Sequence, residues 1–244
     1  MCTVTWFVSS DGFELFSNRD ERRTRLREAA PREYEQRGTR FLAPRDGEAG
    51  GTWITGNEYG VVLCLLNNYQ AVNAVAADES RSRGLMVLDL ADCESLDELS
   101  SRTPAAELVR YQGFRLLALE SGAAPRLIEW DGTLRRELEA PVAPLVSSSV
   151  DLAGAARLRI DLYRELDVAT DPRATHLAYH ASHAAGPGPL SVCMHRPDAE
   201  TRSLTHTVVR ANDVSMRHGA GSPCRTPLGE ALRIQRRSPL SAGS

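Results

Sequence analysis

Lysine is missing from this chain of 244 residues: all 29 basic residues are arginine, set against 32 acids for a net charge of −3. The arginines are scattered, so no stripe of positive charge recommends nucleic acid or an anionic membrane surface as a partner. No apolar run approaches the roughly 20 residues of a membrane-spanning helix, and no integral membrane association is expected. The start also lacks a basic stretch followed by an apolar one, which argues against a secretory leader. Five cysteines (2, 64, 93, 193 and 224) form an odd set without a C-x-x-C pair. That spacing suits neither a disulfide framework nor a zinc finger, and reduced thiols in a cytoplasm are the expectation. Neither G-x-G-x-x-G nor a P-loop is present, so a nucleotide-binding Rossmann domain has little support.

The remaining composition, 42% hydrophobic and 25% charged, is that of an ordinary globular protein. One domain over residues 1–221 is expected, followed by a disordered Pro-, Arg- and Ser-rich tail over 222–244. Cys2 to Val8 alternates, Ser10-Asp11-Gly12 is a turn signal, and Phe13–Ser17 reads as the returning strand. Such a hairpin carries Asn18-Arg19-Asp20-Glu21 back to the level of Cys2. Residues 22–50 read as a polar, Arg/Glu-rich connection ending in a glycine loop. A second hairpin joins 51–55 to 60–66, and its fully apolar return strand points to burial on both faces. Helices follow over 82–90, 95–100 and 103–109, strands over 114–119, 126–130 and 133–138, and an extended stretch over 142–149. A helix over 150–166 precedes late strands at 190–195, 203–210 and 214–217. Hairpins at both ends with helices between them make an antiparallel α+β pattern.

Met1-Cys2-Thr3 makes Cys2 a candidate N-terminal nucleophile. Initiator methionine is removed when the next side chain is small, and a terminal cysteine then carries both a thiol and a free α-amine. One residue supplies nucleophile and base. Their unperturbed pKa values, about 8.5 and about 7.7–8.0, place proton transfer near neutrality.

Taken in order, Cys2, Asn18-Arg19-Asp20-Glu21, Gly50-Gly51-Thr52-Trp53, Asn68-Tyr69 and Ser82-Arg83-Gly84 form a specific set. Tyr111-Gln112-Gly113-Phe114, Val192–Arg196 and Thr201-Arg202-Ser203 extend it to about residue 210. The set resembles the NRDE family, also called the transport and Golgi organisation family, whose N-terminal layout is similar to that of N-terminal-nucleophile (Ntn) hydrolases. The resemblance implies a four-layer αββα sandwich of two antiparallel sheets flanked by helices. It also implies hydrolysis of a linear amide (C–N bond) of a small molecule by a cysteine nucleophile, without a cofactor.

By the same resemblance, Arg19 favours the Cys2 thiolate, and either Asp20 or Glu21 holds the α-amine, with Asp20 the preferred assignment. Ntn acylases separate the Arg and Asp by two residues, whereas here they are adjacent. Adjacent strand side chains point to opposite faces, so both reach Cys2 only if the strand bulges or turns. Asn68 occupies the place of one oxyanion donor. Ser148, within Val146-Ser147-Ser148-Ser149, stands where a second amide is expected. Trp53, Arg83 and Arg202 are the candidate substrate contacts.

All six histidines fall between 176 and 218. His176, His180 and His183 follow an H-x3-H-x2-H pattern that could hold zinc or, through one imidazole, haem iron. Solvated loop histidines are the plainer reading, and no metal ligands are assigned. Cys64 and Cys193 read as inert core thiols. The alternative to the hydrolase is a non-catalytic haem- or lipid-handling protein on the same scaffold.

Overall fold

The computed structural model describes residues 2–72, 75–76, 78–184 and 186–237. β1 (Cys2–Ser9) and β2 (Gly12–Arg22) form the expected hairpin, with Cys2 opposite Arg19, Val4 opposite Ser17 and Trp6 opposite Leu15. Strand alternation puts Cys2, Val4, Trp6, Leu15 and Arg19 on one face, and Thr3, Thr5, Glu14, Phe16 and Asn18 on the other. Gly12 turns the chain at φ 145°, where a Cβ would lie 1.9 Å from the Val209 carbonyl oxygen.

A seven-stranded antiparallel sheet follows. It holds, in spatial order, β3 (Ala29–Gln36), β4 (Thr39–Arg45), β5 (Ile54–Asn57), β6 (Val62–Asn67), β7 (Phe114–Leu119), β8 (Arg126–Trp130) and β9 (Arg135–Glu139). The β3–β4 hairpin lies in the segment expected to be a polar connection. β3 is an edge strand whose Arg and Glu side chains face water, so it lacks the alternation that reveals a half-buried strand. Its turn, Arg37-Gly38, has φ of 49° and 77°, the left-handed pair that a two-residue hairpin requires. β6 is buried on both faces, as its apolar run suggested. Val62, Cys64 and Leu66 join the core between the sheets, while Leu63 and Leu65 pack under α1 (Arg83–Asp89), α2 (Leu96–Ser101) and α3 (Ala105–Leu108).

The chain then returns to the first sheet through β10 (Leu145–Ser147), which pairs with β1. α4 (Leu152–Arg164) and α5 (Pro172–His180) follow, capped by Asp151 and Asp171, whose carboxylates accept from the Gly154 and Ala174 N–H groups. β11 (Ala199–Val209), β12 (Asp213–Gly219) and β13 (Leu232–Gln235) complete a six-stranded antiparallel sheet of order β10-β1-β2-β11-β12-β13.

Two sheets with helices outside each give the expected α+β sandwich. Val4, Trp6, Leu15, Ile54 and Leu117 fill its middle, each such side chain stabilising the fold by about 1.5–3 kcal/mol on burial. Residues 222–237, expected to be a loose tail, instead return as β13. Ile234 is 2% exposed in the inter-sheet core, where its burial outweighs the polar composition around it. Residues 238–244 lie outside the described residues. The strand expected over 190–195 is irregular, with one bridge between His195 and Glu200. Among the described residues no helix is long and apolar enough to cross a membrane.

Candidate active site

Cys2 opens β1 between two neighbours, Arg19 on β2 and Ser147 on β10. Its backbone nitrogen donates to Ser147 Oγ at 2.9 Å. Met1, whose removal the sequence reading expects, lies outside the described residues. The thiol borders a cavity of about 500 Å³ at the strand ends, walled also by Arg19, Trp53, Asn67, Arg83 and Gln112. Burial pushes the Cys2 thiol above its ordinary value and the Asp20 charge acts the same way, while the Asp20 backbone N–H and the Arg19 charge pull it down.

The expected conflict between Arg19 and Asp20 is resolved by separating their roles. β2 keeps its register with β1, so the Arg19 side chain lies on the Cys2 face. There it pairs with Asp46 at 2.5 Å, Glu28 at 3.3 Å and Glu21 at 3.6 Å, with its guanidinium 4.6 Å from the Trp53 ring centroid. The Asp20 carboxylate goes to the helix side. Oδ1 accepts from Thr201 Oγ1 at 2.6 Å, and Oδ2 lies 3.9 Å from Arg159, a wholly buried α4 side chain. Burial raises the Asp20 pKa and the Arg159 charge opposes that rise. The irregularity sits on the neighbouring strand, where β11 shifts register between Thr201 and Ser203. Glu21 follows alternation back to the cavity, within 3.6 Å of Arg25.

Three expected residues sit elsewhere. Asn68 is turned away, its amide nitrogen 3.5 Å from the Trp130 carbonyl; Asn67, the last residue of β6, borders the cavity instead. Ser148 Oγ accepts from the Val150 N–H, and Ser147 is the β10 serine opposite Cys2. Arg202 occupies the β11 bulge and donates to the carbonyls of Arg22 and Arg23, each at 3.2 Å, which ties down the chain after β2 rather than facing the cavity. The signal for Asn67 and Ser147 is strand register, which a sequence without pairing information does not carry.

Trp53 and Arg83 do border the cavity. A glycine contact brings them together. A Cβ on Gly51 would lie 2.5 Å from the Gly84 carbonyl carbon, and the Thr52 N–H donates to Gly84 O at 3.0 Å. The motifs Gly50–Trp53 and Ser82–Gly84 are two sides of this one backbone approach. Arg83 donates to Gly113 O at 2.9 Å and forms no ion pair among the described residues; burial lowers its pKa. Trp53 Nε1 is buried without a hydrogen-bond partner among the described residues.

Against this geometry, the family model described as Transport and Golgi organisation 2 matches residues 1–136. The chain belongs to that family. Every residue bordering the cavity lies inside the matched stretch, whereas Ser147, Arg159 and Thr201 lie beyond it. No curated protein matches the chain by sequence. Solved structures match in fold. Penicillin V acylase from Agrobacterium tumefaciens aligns at 12% identity and TM-score 0.58 over 96% of this chain and 86% of that one. A Caenorhabditis elegans N-acylethanolamine-hydrolyzing acid amidase ortholog aligns at 10% identity and TM-score 0.57, over 85% and 92%. The C2A mutant of conjugated bile acid hydrolase from Clostridium perfringens aligns at 11% and 0.53, over 96% and 92%. The family member thus has an Ntn-hydrolase-like fold.

The histidines divide otherwise than the H-x3-H-x2-H pattern suggests. His176 and His180 project from α5 beneath the first sheet, wholly buried, where Thr5 Oγ1 meets His176 Nδ1 at 2.7 Å and His180 Nε2 at 2.9 Å. They are core groups, not solvated loop residues. The helix start was legible in Asp171-Pro172, a capping residue before a proline at the first helical position. His206 stacks on Phe16 with centroids 4.3 Å apart and bonds Glu14 at 2.8 Å. His183, beyond the end of α5, lies beside His195 instead, their Nε2 atoms 3.1 Å apart. Among the described residues no histidine borders the Cys2 cavity.

Proposed function

We propose that this chain is a cysteine Ntn-type hydrolase that cleaves a linear amide of a small molecule, with Cys2 as nucleophile once Met1 is removed. The observation that carries the reading is the placement of Cys2: it opens a central strand, directly across from Arg19, on the wall of a cavity of about 500 Å³. Burial raises the thiol pKa, so a base is required; removal of Met1 turns the Cys2 backbone nitrogen, which donates to Ser147 Oγ, into the α-amine that supplies it.

Attack by sulfur on the amide carbonyl passes the thiol proton to the α-amine and forms a tetrahedral oxyanion. We assign that oxygen to Asn67, which borders the same cavity: one hydrogen of its amide goes to Tyr69 Oη at 2.9 Å and the other has no acceptor among the described residues. Collapse of the intermediate expels the amine, which takes the proton from the ammonium. Water, deprotonated by the same α-amine, then attacks the thioester carbon and restores the thiol. Arg83, a cavity cation without an ion-pair partner among the described residues, suits a substrate with an anionic end.

Intact-mass analysis and labelling with an electrophilic thiol probe test the reading together. A chain beginning at Cys2, labelled there ahead of Cys64, Cys93, Cys193 and Cys224, is expected, with turnover of linear N-acyl amides lost in Cys2→Ala. Retained Met1 in the purified protein, or unchanged turnover in Cys2→Ala, rejects it.

A further inference from the structure

His183, Cys193, His195 and Cys224 come from three separate stretches of chain and meet with one donor atom each, all within 4.8 Å of one another. His183 follows the end of α5, Cys193 and His195 precede β11, and Cys224 lies in the turn closed by the Arg225 and Thr226 N–H groups on Ser222 O. His195 Nε2 lies 3.1 Å from His183 Nε2, 3.6 Å from Cys193 Sγ and 3.5 Å from Cys224 Sγ. One imidazole nitrogen has either a single hydrogen or a single lone pair, so it cannot satisfy three polar neighbours by hydrogen bonding. A cation at the common centre satisfies all of them.

We infer that these four side chains form a structural zinc site. Tetrahedral zinc with arms of about 2.3 Å to sulfur and about 2.0–2.1 Å to nitrogen has edges of about 3.4 Å between nitrogens and about 3.6 Å between nitrogen and sulfur. The three separations from His195 Nε2, 3.1, 3.6 and 3.5 Å, are close to those edges, and the remaining pairs lie within 4.8 Å. Two soft thiolates with two imidazoles select zinc over the oxygen-seeking cations, and four protein ligands leave no open position for a substrate. Binding releases both thiol protons, so the two thiolates neutralise the dication. The site fastens the chain after β12 to the loop after α5, and Thr201, which accepts from the Met194 N–H at 2.8 Å, connects it to Asp20.

Metal content of the purified full-length chain, grown with zinc, tests the inference by plasma mass spectrometry. One zinc per chain is expected. Replacing it with Co2+ should give a thiolate-to-cobalt charge-transfer band and intense tetrahedral d–d bands. Cys224→Ser should weaken zinc binding by more than the about 10–100-fold that changes to outer-shell partners cause. A fully reduced wild-type chain that takes up neither Zn2+ nor Co2+ overturns the inference, as does a Cys193–Cys224 disulfide in the protein as isolated. Cobalt bands unchanged in both Cys193→Ser and Cys224→Ser would place the metal elsewhere and overturn it equally.

Discussion

Arg83 and Arg19 border the same cavity, yet their surroundings differ. Three carboxylates surround Arg19, so its charge is largely neutralised before any substrate arrives. Among the described residues Arg83 makes one hydrogen bond, to a carbonyl, and no ion pair, so its charge is available to a substrate. Arg83→Gln is therefore expected to raise KM roughly tenfold for amide substrates bearing a carboxylate, equivalent to about 1.4 kcal/mol, and to leave neutral analogues unaffected. Steady-state kinetics on such a pair checks this, and an equal loss for both would remove Arg83 from substrate recognition. The sequence pointed to Cys2, Arg19, Trp53 and Arg83 because each sits in a short motif. It pointed to Asn68 and Ser148 one residue away from Asn67 and Ser147, because a strand reverses its facing at every residue and the pairing partner decides which one looks inward.

Among the elements, α5 and β1 share a buried polar contact that alternation alone does not reveal. The Thr5 hydroxyl has one hydrogen to give; donating to one of His176 Nδ1 and His180 Nε2 and accepting from the other requires the same tautomer in both rings, Nδ1–H or Nε2–H. Thr5→Val leaves both ring nitrogens unsatisfied and is expected to cost about 1–3 kcal/mol in urea unfolding at neutral pH. The pH dependence follows from burial, which pushes His176 down to about 4 and His180 well below its ordinary value. Unfolded histidines titrate near 6.5, so between about pH 6.5 and 4 the unfolded chain binds protons that the native chain refuses. Stability is complete above that window and falls as pH drops through it, by about 1.4 kcal/mol per pH unit per histidine. Unfolding free energies that stay flat from pH 7 to 4.5 would contradict it. The β3–β4 hairpin escaped the sequence reading for a related reason: on an edge strand the exposed side chains carry no hydrophobic period, and only the Arg37-Gly38 turn marks it.

At the scale of the molecule, the two sheets are closed by a strand from the end of the chain. Composition argued for disorder there, since Arg, Pro, Ser and Gly dominate residues 222–244. Burial of Leu232 and Ile234 against the other sheet decides otherwise, with β13 paired to β12 over four residues, Asp213↔Gln235 to Met216↔Leu232. Ile234→Ala is expected to lower the urea unfolding free energy by about 2–5 kcal/mol, as for a core side chain; a loss under about 0.5 kcal/mol would return the segment to the status of a tail. The α+β class and the layered sandwich were legible from hairpin signals and motif order, because both sheets are built largely from sequence-adjacent strands. The closure by β13 joins segments that no local pattern connects.

One consequence follows from Thr201. Its oxygen takes the Met194 N–H and its only hydrogen goes to Asp20 Oδ1. A carboxylic acid at Asp20 would thus have to carry its proton on Oδ2, the oxygen facing the guanidinium of Arg159. Burial favours the protonated acid, while the Thr201 hydrogen on Oδ1 and the guanidinium near Oδ2 both favour the carboxylate, so the proton affinity of the group beside the sulfur is set by a balance that either neighbour can tip.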